Sequence, residues 1–388
     1  MPANPAAAEA TGPDLAAAYF DQLCERFEQA AAAVHGVDPV TNTKSRPAGA
    51  GTLDLGMAGL PVRLRYAGDA LRANLLSPFE HLAAGFAGDP VLTISAFDTA
   101  SSGIEPPTSL WEPIEAAPGT NPVVRLGSER ACVLAAAGSR ALTAAEPGAG
   151  EAVFHLPDAS AIPASERAGP IREALQLLMA ARGRLMTHAG AVGRDGRGVL
   201  LVGRGGSGKS TLALSCALAG MEIVGDDYVL LEPDSLTAHA MQSTAKLSED
   251  SAERLAVPSA AIDPAGFAPT LEGPAKALVD IPTLASDTLK RQLEIRAIVA
   301  PTLRASRGGT IATADGLDEN GPSMRPISAA EGLRAVAPST IVQSGFGGGR
   351  SLAALADLVR RVPSYALDLS PDPAANAAAV DHLVAELG

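Results

Sequence analysis

Residues Gly203-Arg204-Gly205-Gly206-Ser207-Gly208-Lys209-Ser210 match the pattern G-x-x-x-x-G-K-[ST] without a gap. At average residue usage, a chain of 388 residues shows such a match by chance roughly once in a hundred. Its setting constrains the fold more than the match alone. Gly198-Val199-Leu200-Leu201-Val202 is an apolar strand immediately before it, and Thr211 to Leu218 is a helical run immediately after, closed by Gly220. Strand, loop and helix is the arrangement in which backbone N–H groups and the positive end of a helix cradle a polyphosphate. Glycines at 203, 205, 206 and 208 let the backbone turn those donors inward. Lys209 adds a point charge for β- and γ-phosphate oxygens, and Ser210 offers its hydroxyl to Mg²⁺. These eight residues, with Thr211, form the candidate nucleotide site. The plain alternative is a glycine-rich turn ahead of a surface lysine.

Downstream lies Glu222-Ile223-Val224-Gly225-Asp226-Asp227-Tyr228-Val229. An apolar strand that delivers acids beside a phosphate loop can hold Mg²⁺ through one carboxylate. Neighbouring strand residues point to opposite faces. Both aspartates therefore serve one site only if the strand ends or bulges there, and Gly225 allows that. The bland alternative is an Asp pair capping a turn, although apolar strands rarely bury two acids without use.

The remaining pattern predicts two domains. Residues 14–34 read as an amphipathic helix, with Leu15, Phe20, Leu23, Phe27 and Ala31 near a helical period and His35-Gly36 as its stop. Residues 52–66 read as one half-buried antiparallel strand in which Val62, Leu64 and Tyr66 alternate with Arg63 and Arg65. Further strand-like pieces recur near 91–96, 123–126 and 130–136. Residues 143–169, rich in Ala, Pro, Gly and Glu, mark the boundary. This gives a smaller N-terminal α+β domain over 1–165 and an α/β domain over 166–388. Within the latter, Pro170 opens an amphipathic helix. Arg194-Asp195-Gly196-Arg197 then turns a hairpin pairing His188–Val192 with Val199–Val202. The C-terminal third ends in helices at 351–361 and 373–387 around a strand at Tyr365–Leu369, and 345–349 is a glycine cluster read as a loop or a lid.

Composition excludes several classes of function. The net charge is −13, from 30 Lys and Arg against 43 Asp and Glu with only five lysines, which makes the chain a poor candidate for displacing counterions from a duplex, a local basic patch aside. Aromatics at 3% leave no stacking platform for single strands, so no nucleic-acid partner is expected. No run approaches the length of a membrane helix, and Met1–Ala10 has no basic residue ahead of an apolar core, so neither a membrane nor a secretory signal is expected. Cys24, Cys132 and Cys216 are far apart and form no C-x-x-C pair. That argues against a disulfide framework or a zinc site and for a reducing cytoplasm.

Taken together, His188-Ala189-Gly190-Ala191-Val192, the strand Gly198–Gly203, the phosphate loop, and Gly220-Met221-Glu222-Ile223-Val224-Gly225-Asp226-Asp227 resemble the kinase domain of the HPr serine kinase/phosphorylase family. That family is a P-loop branch related to phosphoenolpyruvate carboxykinase. The clear resemblance covers 186–232. Weaker similarity to diverged HPr kinase-like serine kinases continues through Ser243–Leu247, Ala335–Thr340 and Leu358–Pro363. The resemblance implies a mixed sheet with flanking helices, and ATP or GTP with Mg²⁺ as cofactors. It implies transfer of the γ-phosphoryl group to a hydroxyl, with a serine of a peptide or small protein as the attractive acceptor. By the same resemblance Asp227 is the catalytic base and Asp226 helps Ser210 hold Mg²⁺, although the two acids could exchange roles. His188 orients an Asp or touches the phosphates, and Lys209 acts in catalysis. Lys246 either neutralises phosphate or is a solvated lysine ahead of a helix. Family members assemble as rings, so a homo-oligomer is in view. Two departures stand out. Thr211 occupies the place of a family Glu, and the Arg- and Gly-rich signature tied to HPr recognition and reverse phosphorolysis is not found. The alternative function is a nucleotide-gated binding module with weak NTPase activity and no acceptor.

Overall fold

The first helix, Leu15–Ala33, forms where the apolar spacing predicts it, capped by Asp14, whose side chain accepts from Ala17 N. Its buried face is Ala16, Ala17, Tyr19, Phe20, Leu23, Phe27 and Ala30, whereas Leu15 is 46% exposed. The computed structural model describes residues 14–34, 49–112, 122–162, 164–268, 274–303, 321–344 and 348–388. The His35-Gly36 stop and residues 345–347 of the glycine cluster lie outside them. Gly348 already belongs to the helix Gly348–Arg361.

This first helix packs on a seven-stranded sheet. In chain order its strands are β1 Ala50–Met57, β2 Leu60–Ala67, β3 Leu92–Asp98, β4 Val123–Gly127, β5 Cys132–Ala136, β6 Leu142–Glu146 and β7 Glu151–Leu156. In space the order is β1-β2-β3-β7-β6-β5-β4. Two expectations change here. Residues 52–66 are not one strand but most of an antiparallel hairpin, turned at Ala58 and Gly59 with φ of 49° and 74°. Ala rarely takes that conformation, so the turn left no signature. The 143–169 stretch lies inside the first unit rather than at its border, since β6 and β7 lie within it and β7 is the middle strand of the sheet.

The chain divides into two compact units, Met1–Arg182 and Gly183–Gly388. The division falls after the helix Arg172–Ala180 rather than at 165/166, because that helix packs on β6 and β7.

The second unit is mixed α/β. Its strands are β8 Leu185–Thr187, β9 Gly190–Arg194, β10 Arg197–Leu201, β11 Glu222–Gly225, β12 Val229–Glu232, β13 Thr237–His239, β14 Thr244–Ser248, β15 Lys276–Asp280, β16 Gln292–Leu303, β17 Ser323–Ile327 and β18 Ser364–Leu369. The main sheet runs β11-β9-β10-β16-β13-β12-β8, with β18 on the far half of β16 and β17 beyond it. β10, β16 and β18 are parallel, and the other pairs of this sheet are antiparallel. β14 and β15 pair separately. The hairpin turns at Asp195 and Gly196, both at positive φ, and joins Gly190–Arg194 to Arg197–Leu201. His188 therefore lies in the bend ahead of β9, not in the strand pair where the sequence put it. Val199, Leu201, Ala297 and Val299 bury one face of the sheet against the helices Lys209–Leu218 and Pro373–Glu386. Leu200 and Ile298 are fully buried between them in register, so the central strands are covered on both faces.

Candidate active site

The glycine loop leaves β10 at its C-terminal end. Val202 N donates to Val299 O at 2.9 Å, which ties the loop entry to β16. Gly203, Gly206 and Gly208 have φ of 144°, 79° and 93°, values open to glycine and strained for other residues. At Gly208 space enforces the same choice, because an added Cβ would meet the Leu369 side chain. The helix begins at once, with Leu212 N donating to Gly208 O. Its free N–H groups thus open into the loop. Lys209 is 6% exposed, and its Nζ donates to Gly203 O at 2.7 Å and Arg204 O at 3.3 Å. Burial lowers its pKa, opposed by the charges of Asp226 and Asp227. Thr211 donates from Oγ1 to Ser251 Oγ at 3.0 Å.

The acids arrive at the end of an edge strand. β11 shifts register between Ile223 and Gly225 and stops there, and Asp226 and Asp227 occupy the bend before β12. A Cβ at Gly225 would stand 2.8 Å from Tyr228 O, so this bend closes only over a glycine. The bend sends the two carboxylates into different surroundings. Asp226 is 1% exposed, and its Oδ2 accepts from Lys246 N at 3.0 Å. Its Oδ1 is buried without a hydrogen-bond partner among the described residues. Burial and the Asp227 charge push its carboxyl up, offset in part by the Lys246 N–H, Ser210 and Lys209. Asp227 instead lines the cavity. Its Oδ1 lies 2.9 Å from His188 Nε2 and its Oδ2 2.6 Å from Lys246 Nζ. Burial pushes the Asp227 carboxyl up, but the Lys246 ammonium and the His188 hydrogen bond outweigh it and hold it well below the usual carboxylate range.

His188 is oriented from both ends. Its backbone N donates to Thr340 Oγ1 at 3.3 Å, and its ring lies against Tyr228. A carboxylate facing Nε2 places the ring proton on that nitrogen. The sequence could not reveal Thr340 as its support, since the two are joined only through the fold.

A cavity of about 960 Å³ opens over these groups, lined among others by the loop, Asp227, His188, Lys246 and Lys276. The structure brings together Gly203 to Thr211, His188, Asp226, Asp227 and Lys246. Lys246 is a strand residue in an ion pair rather than a solvated lysine ahead of a helix. Sequence reasoning passed over Lys276, whose strand carries no motif.

A divalent cation fits beside Asp226. Its orphaned Oδ1 lacks a donor, and the Ser210 hydroxyl acts on the same carboxylate. Among the described residues no group of three or more His, Cys, Asp or Glu could hold a metal. One carboxylate and one hydroxyl suit Mg²⁺, which keeps several waters and binds phosphate oxygens. No helix among the described residues is long and apolar enough to cross a membrane.

No protein-family model matches the chain, and no curated protein matches it. Among solved structures, the HPr(Ser) kinase/phosphatase from Coxiella burnetii is similar over 52% of this chain and 88% of its own, with 16% sequence identity and a TM-score of 0.28. Overlap at that level is remote.

Proposed function

We propose that the Gly183–Gly388 unit is an ATP-dependent kinase of the P-loop, HPr kinase-like type, using Mg²⁺ and a hydroxyl acceptor, with a serine of a peptide or small protein as the acceptor class. The observation that carries this reading is the division of labour in the Asp pair: one carboxylate buried beside Ser210 with an unsatisfied oxygen, the next facing the cavity. The loop N–H groups and Lys209 bind the phosphates. Ser210 and Asp226 would hold Mg²⁺, which when bound neutralises charge on the β- and γ-phosphate oxygens.

Asp227 aims the acceptor. The acceptor oxygen bonds to the γ-phosphorus, the bridging P–O bond breaks, ADP leaves, and the hydroxyl proton passes to Asp227. A carboxylate held this acidic is a weak base. A loose phosphoryl transition state demands little base strength and much positioning, so His188 and Lys246 contribute by holding Asp227 in place. On this reading the N-terminal region, 1–165 by composition, serves acceptor recognition.

One observation favours a second reading, a nucleotide-gated module with weak hydrolysis. Both Asp227 oxygens are already engaged, one by His188 and one by Lys246, so an acceptor competes with two partners for the carboxylate. The test is incubation with γ-labelled ATP, Mg²⁺ and candidate acceptor peptides. Label on a seryl oxygen supports the kinase. Label only in free phosphate favours the module, and no calorimetric heat with either ATP or GTP sinks both.

A further inference from the structure

We propose that Lys276 is a third cation on the transferred phosphoryl group, touching the terminal phosphate of bound ATP; the assignment rests on the nucleotide reading above. β14 and β15 pair antiparallel, with Lys246 opposite Leu278 and Ser248 opposite Lys276. Alternation then puts Lys246, Ser248 and Lys276 on one face, and all three line the cavity. The other face, with Ala245, Leu247 and Val279, is buried in the core. The pair is thus a rigid plate whose polar face turns to the phosphate loop's cavity.

Two lysines diagonal on one face repel unless an anion lies between or beside them. Lys246 has its anion in Asp227. Lys276 has none: among the described residues its side chain makes no ion pair or hydrogen bond. Its side chain nevertheless borders the loop's cavity, which Lys209 also lines. A half-buried lysine with no such partner among the described residues, lining one cavity with Lys209 in a chain of net charge −13, matches a group that the ligand neutralises. The γ-phosphate, lying between Lys209 and the Asp227 that aims the acceptor, is the anion in that position.

The experiment uses the full chain and the variants Lys276→Gln and Lys276→Arg. Affinities for Mg-ATP and Mg-ADP are measured by calorimetry, and melting curves check the fold. Lys276→Gln is expected to weaken ATP by about tenfold or more while ADP changes by less than about twofold, and Lys276→Arg to retain most ATP affinity. Equal weakening of ATP and ADP overturns the assignment, as does unchanged ATP affinity, which would put Lys276 on the acceptor or in solvent. If the unmodified chain binds neither nucleotide, the nucleotide reading falls and takes this one with it. If the unmodified chain prefers ATP and Lys276→Gln prefers it equally, only the lysine's role falls.

Discussion

Lys246→Met removes the cation from the Asp227 carboxylate that faces the cavity. The Nζ–Oδ2 separation is 2.6 Å. At an effective dielectric of about 20, charges that close attract by about 6 kcal/mol before desolvation is counted. Deleting one partner of a buried pair typically costs about 3–5 kcal/mol. The Lys246 side chain is 30% exposed, and water softens the loss. The expected destabilisation is about 2–3 kcal/mol, or about 4–12 °C in Tm for a unit of about 200 residues. The pH dependence follows from the direction of the shift. Asp227 sits below its ordinary value of 3.8, so its contribution is complete above 3.8 and is lost as the pH falls through the lower folded value. Without Lys246 the carboxyl moves up and protonates earlier. The gap between native chain and variant is therefore full near neutrality and narrows in acid. Urea melts at pH 7 and pH 4 measure this. Asp227→Asn in the Lys246→Met background should recover at least about 1 kcal/mol relative to additivity. Additivity within about 0.5 kcal/mol, or no change in Lys246→Met alone, refutes the reasoning.

Other perturbations separate the parts of the site and the units. Asp227→Asn should keep Mg-ATP affinity in calorimetry and lower phosphoryl transfer by about 10²–10⁴-fold; intact transfer would mean another group aims the acceptor. Gly208→Ala adds a Cβ against Leu369 at a φ of 93°, so nucleotide binding should fall and the melting point drop by an amount equivalent to about 1–3 kcal/mol. In the first unit, burial depresses His155 from 6.5 to about 4. Its neutral ring contributes stability above 6.5 that is lost as the pH falls toward 4, and His155→Gln should flatten that slope in acid denaturation curves.

Much of the site could be read along the chain because its determinants are local. The strand Gly198–Val202, the glycines that turn at positive φ and the helix that opens at Lys209 each depend on residues within a few positions of one another. The Asp195-Gly196 turn and the helix Leu15–Ala33 were legible for the same reason, through backbone preference and side-chain period. Where a local signal was weak, as at Ala58-Gly59, or misleading, as in the Ala- and Gly-rich stretch that holds β6 and β7, the reading went astray. Composition reports what a segment is made of, not which neighbours will cover it.

What the chain could not disclose is which carboxylate of Asp226-Asp227 faces outward, and what holds it. That was decided by a bulge opposite β9, by Lys246 arriving on β14 and by His188 propped on Thr340. The longest of those contacts joins residues 152 positions apart. Their register is set by which apolar faces bury together across the sheet, a property of the whole packed core. The glycine loop is thus written in consecutive residues, whereas the charge balance around the two aspartates exists only once distant strands have met.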